Sequence, residues 1–229
     1  MSTAELGLGL IWYVVFIVSL TFHEAAHGLA ALWLGDTTAR DIGLVTLDPL
    51  THIRRSPFGM VIVPIVSFLA GGWMIGWAST PYDSSWAHAN RKKAAMMALA
   101  GPAANLVLIL LAALLIRGGM LLGTLDQPER VSFTRITVAH SPGFADGLAV
   151  FLSVLFSLNI ILLVFNLLPV PPLDGGGVLP LFLGYRAAGQ YGTFMSQPGF
   201  QLIGLIIAWR LMDYILGPVW FLVINLLYP

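Results

Sequence analysis

The amino-acid sequence predicts an all-α polytopic membrane protein, and three observations carry that expectation. Of its 229 residues 58% are hydrophobic and only 10% charged, whereas a soluble domain usually holds about 25% charged residues. Four apolar stretches, 6–34, 94–117, 148–168 and 200–228, each reach the roughly 20 residues a helix needs to cross a bilayer. The longest polar connections, 118–147 and 169–199, fall short of the about 50 residues of an independent domain.

The first stretch starts from MSTAELGLGL, which lacks the positive flank of a cleaved leader, and its apolar run continues past residue 30, so the helix is expected to be retained. A fifth apolar run, 58–79, is long enough to cross but carries Pro64, Gly71, Gly72 and Gly76. Its flanks, TARDIGLVTLDPL and GWASTPYD, read as short extended segments with turns. The expectation is therefore a re-entrant or short β element, packed where irregular backbone does not meet lipid. In the last stretch Arg210, Asp213 and Gly217-Pro218 lie near the middle, which permits one kinked helix or two short ones.

Eleven basic and eleven acidic residues cancel, so no field argues for nucleic acid, and the partners expected are lipids and membrane proteins. With no cysteine in the chain there is no disulfide and no thiolate, and any metal has to be held by histidine and carboxylate.

Histidine and carboxylate do meet in VSLTFHEAAHGLAALWLG. His23 and His27 stand four residues apart on one helical face, where two imidazoles can grip one ion. Glu24 between them is placed to take a proton from a water on that ion. Only three glutamates occur in the chain, and Glu24 is the one charge between Leu6 and Leu34. An ionisable group at the bilayer centre costs roughly 2.5–3.5 kcal/mol, so a functional role is expected of it. Two histidines leave a zinc site one protein ligand short. Asp174 is the candidate, because the prolines of FNLLPVPPLDGGGVL break an apolar helix and let a carboxylate turn back. The other reading of Asp174 is an ordinary turn aspartate before glycine.

HEAAH, Gly35-Asp36, LDPLTHI, GWAS, AGPAAN and FNLLPVPPLDGG, taken together over about residues 5–185, resemble the site-2 protease family of intramembrane zinc metalloproteases. The specific part is HExxH in one membrane helix followed by N-x-x-P-x-x-x-x-D-G after a later one. The resemblance implies one Zn2+ per chain held by His23, His27 and Asp174, with Glu24 as catalytic acid and base. It also implies that Asn166 positions substrate or stabilises the oxyanion, although an asparagine at a helix end also serves as a cap. AGPAAN is implied to pack on the catalytic helix, unless Gly101 and Asn105 form only a small-residue packing face. The implied organisation is a protease core over 1–185, with three core helices, and one or two C-terminal transmembrane helices over 186–229. The connection 118–147 is too short for the PDZ domain many relatives carry, so the chain resembles a minimal member. TPYDSSWAHANRKK replaces the family's proline- and valine-rich run, so a role for that run does not carry over, and His88 within it reads as a solvated loop residue.

Residues that meet at one metal must share one membrane depth. That requires 58–79 to return to its starting side, and loops 35–93 and 169–199 then carry seven basic residues against two in 118–147. The excess places the motif side in the cytoplasm, in a cell (inner) membrane. The activity expected is hydrolysis of a transmembrane or membrane-adjacent protein in regulated intramembrane proteolysis, with segments near 42–53 or 72–80 able to hold substrate by strand addition. Two rivals are a membrane metal-handling or transport protein and an inactive protease-like scaffold.

Overall fold

The structure is a computed structural model that describes residues 2–195 and 197–229. Among the described residues four helices are long and apolar enough to cross a membrane, and they fall on the four stretches expected. They are α1 (Thr3–Leu34), α6 (Arg91–Leu121), α7 (Phe144–Asn166) and α10 (Pro198–Leu227). The last is one continuous helix of 30 residues with Pro218 inside it, which settles the choice left open above. Between α1 and α6 come α2 (Thr38–Asp41), α3 (Pro49–Arg55), a π-helical turn (Phe58–Ile62), α4 (Val63–Gly71) and α5 (Ser84–Ala89). A two-stranded antiparallel sheet, β1 (Leu125–Asp126) with β2 (Val138–Ala139), lies between α6 and α7. After α7 follow the short helix α8 (Asp174–Val178), a single 3-10 turn and α9 (Tyr185–Met195).

The 58–79 stretch does not cross as one helix. Helices 49–55 and 58–71 meet at 114°, and 14 residues of helix rise only about 21 Å, short of the roughly 30 Å hydrocarbon core. Gly72 ends α4 in the left-handed conformation, φ 74°. The expected β element is absent here: TARD and DPLTHIRR became helices, with Asp48 capping α3 by accepting from Leu50 N–H, so residues 49–53 cannot add a strand to anything. The local reason is Asp48-Pro49, a cap followed by a proline at the first helical position. Residues 74–83 take no regular structure.

The chain forms two compact units. One comprises residues 1–22, 47–79 and 105–160. Within it the Trp77 N–H donates to the Gly59 carbonyl at 3.1 Å, and a Cβ on Gly59 would collide with the Trp77 carbonyl oxygen, so glycine is required where these backbones touch. Asn105 and Asn159, both fully buried, join three helices: the Asn105 amide donates to Asn159 Oδ1 at 2.8 Å, and the Asn159 amide donates to Ser19 Oγ at 2.9 Å. Interhelical hydrogen bonds of this kind are the polar glue of membrane bundles, so Asn105 is more than a small packing residue.

The other unit comprises residues 23–46, 80–104 and 161–229. Leu168, Leu173 and Ala208 form its apolar centre, with Phe165, Val170, Leu211, Met212 and Ile215 packed on them. At the end of α1, Asp36 accepts from the Thr38 N–H and hydroxyl and from the Asp83 N–H at 2.6–2.9 Å. Burial would push its carboxyl up, but those hydrogen bonds outweigh it and hold the group below the usual carboxylate range. Asp36 thereby fixes the chain just after Thr80.

Candidate metal centre

His23 and His27 lie on one face of α1 and are 4% and 8% exposed. Their rings stand edge to face, centroids 4.7 Å apart, and the two Nε2 atoms are 3.0 Å apart. The His27 Nδ1 lies 2.8 Å from the Met97 carbonyl oxygen. A carbonyl only accepts, so Nδ1 carries the proton and Nε2 presents a lone pair, the tautomer a metal needs.

Asp174 opens α8 and comes back to the same point. Its Oδ2 is 3.0 Å from His23 Nε2 and its Oδ1 3.3 Å from His27 Nε2. The return is possible because residue 175 is glycine: a Cβ there would strike the carbonyl oxygens of Leu167 and Leu168 at the end of α7. Asp174 thus lies beside both histidines.

The donor set can be tested for fit to a metal. Zinc–nitrogen bonds are about 2.0–2.1 Å, and a tetrahedron of that size has ligand–ligand edges of about 3.3 Å. The 3.0 Å between the two Nε2 atoms, and the 3.0 and 3.3 Å at which the two Asp174 oxygens each approach one of them, are close to such an edge. The buried Asp174 Oδ2 makes no aligned hydrogen bond despite its 3.0 Å approach to His23. Three side chains that converge with nitrogen and oxygen atoms able to act as ligands are what a cation satisfies. Two imidazoles and one carboxylate are a zinc donor set that leaves a fourth position for water.

Glu24, 5% exposed, follows His23 directly in α1. The Thr80 hydroxyl lies 2.8 Å from Glu24 Oε2 and 3.0 Å from its backbone carbonyl, so one carboxylate oxygen is held in place. Nothing in the sequence pairs these residues across 56 positions; the one signal is that Thr80 falls in the stretch that departs from the family pattern. Gly101 of α6 faces the cluster, with a Cβ there falling 2.5 Å from His23 Nε2. Asn166 ends α7, partly buried, and makes no hydrogen bond with His23, Glu24, His27 or Asp174. His88 is exposed but lies in α5, with Nδ1–H donating to the Ser84 carbonyl at 2.6 Å.

Residues 11–211 match the family described as Peptidase family M50. The chain is 31% identical over 214 residues to "Putative zinc metalloprotease YwhC" of Bacillus subtilis, covering 90% of this chain and 83% of that protein. It is 32% identical over 164 residues to a protein of Mycolicibacterium smegmatis with the corresponding name Rip2, covering 72% of this chain. The chain spans about half, 54%, of the length of Rip2. No solved structure matches.

Proposed function

Because the chain belongs to peptidase family M50, a family of metalloproteases, we propose that it hydrolyses peptide bonds of transmembrane or membrane-adjacent proteins with His23, His27 and Asp174 as zinc ligands and Glu24 as acid and base. The observation that carries this reading is that the four side chains converge within and beside a helix long and apolar enough to cross a membrane.

When bound, zinc supplies a water acidified to near neutral pH and a Lewis acid for the scissile carbonyl. Glu24 takes the proton as the water oxygen adds to the carbonyl carbon, and returns it to the departing amine as the C–N bond breaks. His27 is held in the ligating tautomer by Met97, and Thr80 keeps the Glu24 carboxylate from rotating away. Asn166 is assigned to the oxyanion or to substrate positioning, a role its place at the α7 terminus supports. The basic loops favour a site open to the cytoplasmic side of the cell membrane, and regulated proteolysis of a membrane-tethered protein is the biological setting proposed.

The test is zinc content and cleavage of single-span substrates in liposomes, comparing wild type with Asp174→Ala. Wild type is expected to carry one zinc and to cut, and Asp174→Ala to lose both, since two histidines alone do not complete the site. Zinc without cleavage of any membrane substrate would favour the scaffold reading, and metal flux without cleavage the transport reading.

Thr80→Val, nearly isosteric but without a hydroxyl, is expected to lower kcat by roughly tenfold to a hundredfold, the range seen when a supporting hydrogen bond at a metal site is removed. KM and zinc content should not move, and Thr80→Ser should restore activity. In a Glu24→Gln background Thr80→Val should add little, because residues that act as a unit are not additive.

A further inference from the structure

Arg210 and Asp213 are exposed near the middle of a span that runs from 199 to 227. Among the described residues neither takes part in an ion pair or a side-chain hydrogen bond. Charges facing lipid at mid-depth are costly and rare, so the face that carries them needs a partner.

The face is well defined. At about 100° per residue, α10 packs through Gly204, whose Cβ would collide with the Pro171 carbonyl oxygen, and through Ala208, Leu211 and Ile215 on the Leu168 and Leu173 cluster. Directly opposite, spaced four, three and four residues apart, run Ile206, Arg210, Asp213 and Gly217, all exposed. That spacing is the seam of a helix pair, with a glycine that lets two helices come close.

We propose that this seam is a homodimer interface in which Arg210 of each copy pairs with the partner's Asp213. The charges select a second copy as the occupant. A foreign helix would need an anion and a cation at the same two depths, whereas a two-fold axis along the membrane normal supplies both from this chain. The three-residue offset is about 4.5 Å of rise, within reach of an arginine side chain, and the contact closes after two copies.

The chain has no cysteine, so single introduced cysteines report position without background. In vesicles of purified protein, Ile206→Cys and Gly217→Cys are expected to form disulfide-linked dimers on mild oxidation. Leu205→Cys, also exposed but turned about 100° away, is not. Arg210→Asp alone and Asp213→Arg alone should each lower the dimer fraction tenfold or more at limiting protein-to-lipid ratio, and the double swap should restore it, with helical content by circular dichroism as the check on folding. Equal cross-linking at Leu205→Cys, a wild type that is monomeric in vesicles, or a double swap no better than the single ones would overturn the interface. None of these readouts depends on proteolysis.

Discussion

Glu24→Gln is expected to bind zinc as wild type does and to cut its substrates about a hundred to ten thousand times more slowly, the range supplied by a positioned general base. The substitution changes one atom. Glutamine keeps the size of glutamate, and its carbonyl oxygen can still accept from the Thr80 hydroxyl that lies 2.8 Å from Oε2, so the helix and the histidines on either side should not shift. What it removes is the basic oxygen that receives the proton of the attacking water. Zinc stoichiometry by elemental mass spectrometry, together with single-turnover cleavage, separates the two effects. Loss of zinc would mean that Glu24 is itself a ligand, and undiminished cleavage would mean that the proton goes elsewhere.

The part of this site legible in the sequence is the part set by local geometry. His23 and His27 had to share a face because four residues make about one helical turn, and a lone carboxylate in an otherwise uncharged membrane helix marked Glu24. Asp174 was only half legible. Proline-broken chain followed by Asp-Gly describes both a turn and a carboxylate that comes back to the histidines, and the return rests on Gly175 lying against the carbonyl oxygens of Leu167 and Leu168, a contact no spacing reports. Thr80 was not legible at all, because its hydrogen bond spans 56 residues and follows from how an irregular segment is held at Asp36 and Asp83. The four crossings followed from length and apolarity, which bilayer thickness makes decisive. The segments around Asp48 were misread as extended because a capping aspartate and a first-turn proline are turn residues as well as helix starters.

Gly101→Ala is expected to cost the protein its metal although His23, His27 and Asp174 all remain in the chain. In an open helix interior alanine is favoured over glycine by about 1 kcal/mol, but Gly101 lies inside α6 with Pro102 after it, where a Cβ is disfavoured, and the two imidazoles meet the added methyl with or without a metal, so the metal-free variant is expected to be less stable than wild type. The added methyl would stand 2.5 Å from His23 Nε2 and closer still to His27 Nε2, at the point where the two nitrogens face each other. Neither ring can easily yield: His27 is tied through Nδ1 to Met97 of the same helix, and His23 is packed edge to face against His27. The methyl therefore pushes the imidazoles away from the point where they would meet an ion. Zinc affinity should fall by about a hundredfold or more, at the upper end of losses seen when the surroundings of a metal site are disturbed, and proteolysis should fall with it. Zinc titration and thermal unfolding of the metal-free protein read the two halves separately. A variant that still folds, melting somewhat below wild type, with its zinc affinity lost places Gly101 as the small residue that leaves room for the two imidazoles, whereas wild-type zinc binding would show that α6 can withdraw and that the close approach is not required.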